Sequence, residues 1–233
     1  MNFKLEIRGW LRDLAEVAIA LTVIIGVSKL LLGAHMLVPL VAVTSSSMLH
    51  TSNEWQNWLI SHNISEEELK GFPMRGGFAR GDMILTITPN NKGVIHPFFP
   101  DTKIGDVIIY KRDKLHRGNA PPIIHRVVGV VWVEEWRIKD IDGTLDCLTE
   151  RDFEDRYIPY VKNCVHGFSC PYTDFPETGS FRFYITKGDN NPGSDQCLNL
   201  ALPVTDAQLT ARGWIVIPYV GWLKLALNFL LGL

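Results

Sequence analysis

The chain has no Cys-x-x-Cys pair, which argues against a thioredoxin-type motif or a common zinc ribbon. It has almost no net charge, −2 over 233 residues, so nothing points to nucleic acid or a polyanionic partner. No internal repeat and no low-complexity stretch is visible, so repeat architectures are set aside. Cysteine is missing from the first half: Cys147, Cys164, Cys170 and Cys197 all come late. Apolar residues are concentrated towards the two ends and the middle carries most of the charge, so the middle is the part that can stand in water. The length fits one domain plus membrane segments, or a small two-domain protein.

Residues 1–13 are short and charged, with Lys4, Arg8 and Arg12 against Glu6 and Asp13. Residues 14–43 are nearly all apolar, broken by Glu16, Lys29 and His35. A spanning helix needs about 20 apolar residues, and a span over 14–36 is expected, with Lys29 near its outer end and able to snorkel. Positive residues before the span favour a cytoplasmic N-terminus. The localisation expected is therefore a cell membrane or endoplasmic reticulum membrane, with everything after Pro39 extracytoplasmic. A cleavable signal peptide and a buried core helix are the competing readings. The run is long for a signal peptide, and no clear small-x-small site precedes Thr44. Pro39 is expected to end the helix, and Val41-Ala42-Val43-Thr44 to run extended into the hydroxyl cluster Thr44-Ser45-Ser46-Ser47-Met48.

Residues 49–75 read as a small helical insertion. Ser65 with Glu68 three residues on forms a capping-box pattern. Trp55, Trp58, Leu59 and Ile60 cover the insertion's own core, the domain or the lipid interface. Asn63-Ile64-Ser65 is a glycosylation sequon. Beyond it the pattern turns to strands. Residues 81–87 and 105–110 each read as a Gly-Asp turn followed by a β run, and 123–133 as a valine-rich strand. Side chains alternate faces in a strand, so His125 shares a face with Ile123 and Val127 while Arg126 points the other way. A histidine on an apolar face is either a satisfied core residue or a catalytic one. Residues 134–180 are irregular, charged and rich in turns; 181–186 is a strand; 188–195 is a tight loop of Asp, Asn, Gly and Pro. Residues 204–212 suggest a short helix. Residues 214–233 are apolar apart from Lys224 and suit a second span or a membrane-surface helix equally.

Three hydroxyls just beyond an apolar segment make a poor core strand and a poor linker. They make sense if one is a nucleophile held near a bilayer. Taken in order, Ser-Ser-Ser-Met at 45–48, Gly-Asp-Val-Ile at 105–108, His-Arg-Val at 125–127 and Lys-Gly-Asp-Asn-Asn at 187–191, with Asp195 beyond, resemble the boxes of type I signal peptidases. Ile217-Pro218-Tyr219-Val220-Gly221 resembles a further box. Histidine rather than lysine in the base position makes the chain similar to the archaeal and endoplasmic-reticulum branch. The match covers roughly 15–48, 76–131 and 181–225. Residues 49–75 and 135–180 are departures from the shorter members, and neither insertion is expected to touch a motif residue.

The resemblance implies a mainly β, signal-peptidase-like catalytic domain over 37–213, with small helical insertions, the N-terminal anchor and an apolar C-terminal helix. It implies a serine endopeptidase that removes signal peptides from exported preproteins after small-x-small motifs. Its partners would be preproteins, membrane lipid and an export channel or other membrane subunits. The alternatives are a peptidase dedicated to one secreted substrate and a noncatalytic preprotein-binding subunit. Ser47 would be the nucleophile and His125 its base, since a hydroxyl needs an adjacent base. Asp195 would orient the imidazole, with Asp189 supporting the loop and remaining the alternative acid. The Ser47 N–H and the Ser45 hydroxyl would form the oxyanion site. The substrate would add a strand at an edge built from 41–45 and 81–87. Lys111 is a competing base. No cofactor is implied. Disulfides are the first reading of the cysteines; free thiols, or zinc at Cys164, His166, Cys170 and Cys147, are the alternatives.

Overall fold

The computed structural model describes residues 3–33, 38–90, 100–116, 118 and 120–231. Helix α1, Phe3–Leu32, is followed by strand β1, Leu40–Ala42, and the helices α2, Glu54–Ser61, and α3, Glu66–Lys70. Strands β2, Met83–Ile87, β3, Val107–Tyr110, β4, Ile123–Glu134, and β5, Arg137–Gly143, come next. A helical segment joins α4, Glu150–Asp152, through a π-turn, Phe153–Tyr157, to α5, Ile158–Val165. Strands β6, Phe181–Lys187, β7, Val204–Thr205, and β8, Leu209–Ile217, precede helix α6, Gly221–Leu231.

The strands form one antiparallel sheet in the order β1-β2-β8-β3-β4-β6-β7, with β5 hydrogen-bonded to the far half of β4. It curls into a half-barrel. The mainly β architecture with small helical insertions follows the expectation. Both Gly-Asp turns close through their aspartates: Asp82 accepts the Ala79 N–H at 2.8 Å and Asp106 the Lys103 N–H at 3.0 Å. β4 is apolar almost without alternation because both faces are covered. Val127, Val128, Val130 and Val131 are all buried in the main core. A smaller cluster of Val43, Met48, Phe78, Ile84 and Val107 fills the half-barrel beside the serine run.

α1 is helical from Phe3, so the charged residues 3–13 and the apolar stretch lie on one continuous helix. Its apolar stretch is Trp10–Leu32, 23 residues with mean hydropathy 2.1 and none of its most apolar window buried. It is long and apolar enough to span a membrane or to be a signal sequence. The helix stops at Gly33, not at Pro39. Gly33 takes φ 63°, and its N–H closes onto the Lys29 carbonyl at 2.9 Å, the left-handed terminus that glycine adopts without strain. The expected end of the span at Met36 lies outside the described residues. The Leu32 carbonyl accepts the Thr88 N–H at 2.7 Å, which ties the helix end to the sheet beyond β2.

Three further expectations fail. Residues 204–212 are not a helix: a capping box between Thr205 and Gln208 closes one 3-10 turn, and Leu209–Ile217 then pairs with both β2 and β3. Pairing partners distant in sequence override the local signal. β8 also takes the first residues of the apolar C-terminal run, leaving α6 with 11 residues. The described residues of α6 make about 16 Å of helix, against the roughly 30 Å of hydrocarbon in a bilayer. Residues 134–180 are not irregular, since they supply β5 and a helical segment whose Phe153, Tyr157 and Val161 join the main core. And β2 offers no edge, being paired with β1 on one side and β8 on the other; β1 is the strand at that end of the sheet.

The cysteines pair as Cys147–Cys197 and Cys164–Cys170, so the ligands of the zinc alternative are consumed. The first bridge joins residues separated by 50 positions and pins the enlarged segment to the loop after Asp195. Replacing Cys147 and Cys197 together by alanine should lower stability by about 2–4 kcal/mol through the freed chain entropy. Guanidinium unfolding of the two proteins measures the difference.

Candidate active site

Ser47 lies in the turn after β1, His125 on β4 and Asp195 in the loop after β6. The structure brings them into one line. His125 Nε2 is 2.8 Å from the Ser47 Oγ. His125 Nδ1 is 2.7 Å and 2.8 Å from the two Asp195 carboxylate oxygens. A carboxylate only accepts, so Nδ1 carries the ring hydrogen and Nε2 turns its lone pair to the serine hydroxyl. That is the tautomer a general base requires.

Each member is held by a different device. The serine turn is anchored from below by Met48, which is 1% exposed in the small apolar cluster. From the side, the Asn190 N–H donates to the Ser47 carbonyl at 2.7 Å and the Asn190 amide to the Ser46 carbonyl at 3.3 Å. His125 is fixed by strand pairing opposite Ile108. Gly188 lets the loop close over it, since a Cβ there would stand 2.9 Å from His125 Nε2. Asp195 is fully buried. Besides His125 it accepts the Tyr110 hydroxyl at 2.8 Å and the Thr186 hydroxyl at 2.6 Å. Burial, and then the Asp195 charge, push the Tyr110 phenol well above its ordinary range, so it remains a donor.

Asp189 has other partners. Arg126 Nε and NH2 reach it at 2.7–3.2 Å, and His50 Nε2 at 2.7 Å. Burial alone would raise this carboxyl. The Arg126 guanidinium and the His50 hydrogen bond outweigh burial and hold it below the usual carboxylate range. Arg126 has no exposed surface. It also donates to the Pro73 and Gly105 carbonyls, both at 2.8 Å, and lies over the rings of Trp55 and Phe72. The 49–75 insertion therefore packs directly on motif residues, against the expectation that it would not. Trp55 and Trp58 rest on the domain. Trp55 also stacks on His50, and Trp58 lies beneath Lys187 Nζ at 4.9 Å.

Ser45 is exposed, with its Oγ 3.2 Å from that of Ser47. Among the described residues the Ser47 N–H has no partner, so a reacting oxygen would find a backbone donor and a hydroxyl together. The rival base Lys111 is engaged elsewhere, with its Nζ 2.9 Å from Asp174. Arg126, inside the His-Arg-Val box, completes the network with Tyr110, Thr186 and His50, which carried no signal in the sequence beyond proximity to the boxes. An apolar groove of about 260 Å³ adjoins the serine turn, lined by Leu40, Ala42, Thr44, Ile109, Pro122 and Ile124 among others. No protein-family model matches the chain, and no curated protein matches it.

The two aspartates should respond differently to truncation. Asp189→Ala leaves the buried Arg126 guanidinium without its carboxylate and should cost about 3–5 kcal/mol of stability. Tyr110→Phe removes one donor from a buried carboxylate and should cost about 1.5–3 kcal/mol. Urea unfolding of the two variants beside the parent tests both values and their order.

Proposed function

We propose that the chain is a membrane-anchored serine endopeptidase of the signal-peptidase type, which removes N-terminal signal peptides from exported preproteins. The observation that carries this reading is the unbroken hydrogen-bonded line from the Ser47 Oγ through His125 to a buried Asp195, with an apolar groove beside it.

In this reading the Ser47 Oγ attacks the scissile carbonyl while His125 Nε2 takes its proton. The Ser47 N–H and Ser45 hydroxyl stabilise the oxyanion, a role in which one donor is worth several kcal/mol of barrier. Asp195 stabilises the imidazolium without taking its proton. The imidazolium returns the proton to the departing amine, and a water activated by the same nitrogen then hydrolyses the acyl-enzyme. The preprotein runs extended as an added strand along β1, with small side chains facing the groove. The open edge of β1 and the extended segment at 121–124 form the two sides. α1 supports an anchoring role, because it ends at Leu32, is tied to the sheet there, and is followed by β1 at Leu40. Exposed Tyr219, Trp222, Leu223, Phe229 and Leu230 suit contact with the membrane surface. This geometry would hold the groove where a cleavage site leaves the bilayer, supplying proximity that a soluble protease obtains from binding.

Cleavage of a preprotein in liposomes tests the proposal. The parent should cut after a small-x-small site, while Ser47→Ala and His125→Ala should lose about 10⁴-fold or more in kcat. The rate should fall as pH drops and His125 gains a second proton, because an imidazolium cannot accept from the serine. Full activity in Ser47→Ala would remove the nucleophile assignment. A parent that binds preproteins without cutting them would support the noncatalytic alternative.

A further inference from the structure

His50 lies three positions beyond Ser47 on the same segment. With the Asn190 bonds to Ser46 and Ser47, it is one of the contacts between that segment and the loop that carries Asp189 and Asp195. Its side chain is 9% exposed and stacks on Trp55 with ring centres 4.4 Å apart. Its Nδ1 is 3.0 Å from the Arg75 carbonyl oxygen, and its Nε2 is 2.7 Å from the Asp189 Oδ2.

Neither oxygen can donate. A backbone carbonyl has no proton, and the Asp189 carboxylate receives two guanidinium nitrogens from Arg126. Both nitrogens of His50 must therefore donate, and only the doubly protonated ring has two hydrogens to give. Its surroundings suit a cation: Asp189 faces it from the loop, the Trp55 ring from α2, and the exposed Glu54 lines the same cavity. Two positive groups stand near. Arg126 on β4 is neutralised at Asp189, and Lys187 at the end of β6 is turned to the Gly188 and Asp189 carbonyls at 3.1 Å and 3.2 Å. Arg75 meets the ring through its carbonyl.

We propose that His50, as an imidazolium, is a positioning residue that clamps the serine-bearing segment to the acid-bearing loop and so sets the Ser47–His125 distance. The proposal rests on the Ser47–His125–Asp195 reading above. Loss of either ring hydrogen would turn a buried lone pair towards an acceptor oxygen, and the clamp would lose one of its two bonds. The rate should then have an alkaline limb with a cause separate from the acid limb of His125.

The test is kcat and KM for preprotein cleavage in liposomes between about pH 5 and 9, for the parent, His50→Gln and His50→Arg. The parent should give a bell. His50→Gln should lose about 10–100-fold in kcat, the scale of a misplaced reacting group, with KM nearly unchanged and no alkaline limb. His50→Arg keeps a permanent, stackable cation; it should recover part of the lost rate and also lack the alkaline limb. An alkaline limb unchanged in both variants, or a parental rate in His50→Gln, would overturn the clamp. NMR of the ring nitrogens in the full chain bearing Ser47→Ala reads the charge without activity. Two protonated nitrogens at pH 7 are expected, and a single-tautomer neutral pattern would overturn the proposal whatever the variants do. A parent that never cleaves would sink the peptidase reading and the catalytic consequence with it, while the NMR would still decide the charge.

Discussion

The buried pair of Arg126 and Asp189 is the constraint on which the rest of the site depends. A fully buried guanidinium is tolerable only if its charge is matched and its donors are satisfied. Arg126 meets that demand by gathering a carboxylate from the 188–195 loop, carbonyls from Pro73 and Gly105, and aromatic faces from Trp55 and Phe72. Satisfying one side chain on β4 therefore fixes the loop, the end of the insertion and the turn before β3 together. Once the loop is fixed, Asn190 is placed to hold the serine turn, and Asp195 arrives beneath His125.

The two aspartates of that loop show how surroundings divide labour between identical groups. Asp189 faces the Arg126 guanidinium and acts as a strut. Asp195 faces neutral donors, the Tyr110 and Thr186 hydroxyls, and the His125 ring. A carboxylate whose donors are two neutral hydroxyls and an imidazole is suited to stabilise positive charge that comes and goes on that ring, as the proposed mechanism asks. Already neutralised by Arg126, Asp189 would respond less. The spacing in sequence left the choice between them open; the geometry of their partners separates them.

Much of the fold was legible locally. The Gly-Asp turns, the valine-rich β4, the strand at 181–186 and the Ser65–Glu68 capping box all rest on interactions within a few residues, and all formed where the pattern put them. β5 is a local hairpin with β4, turned by Glu135 and Trp136 at positive φ, and its charged composition hid it. The other failures share one cause: β8 and the helical segment at 150–165 are held by partners tens of residues away, so their own composition spoke weakly. The expected edge at 81–87 failed for the same reason, because only the return of β8 covers β2. Gly33 was a local signal overlooked in favour of the more conspicuous Pro39.

The sequence by itself determined the apolar N-terminal helix, the alternation that makes β strands, and the order in which hydroxyl, imidazole and carboxylate occur, because each of these is written in neighbouring residues. Only the tertiary structure decided that Ser47, His125 and Asp195 meet, that Tyr110 and Thr186 serve Asp195, and that His50 reaches Asp189 across 139 positions of chain. Those contacts join residues far apart in sequence. They exist only once a curled sheet and a packed insertion have met the desolvation cost of Arg126.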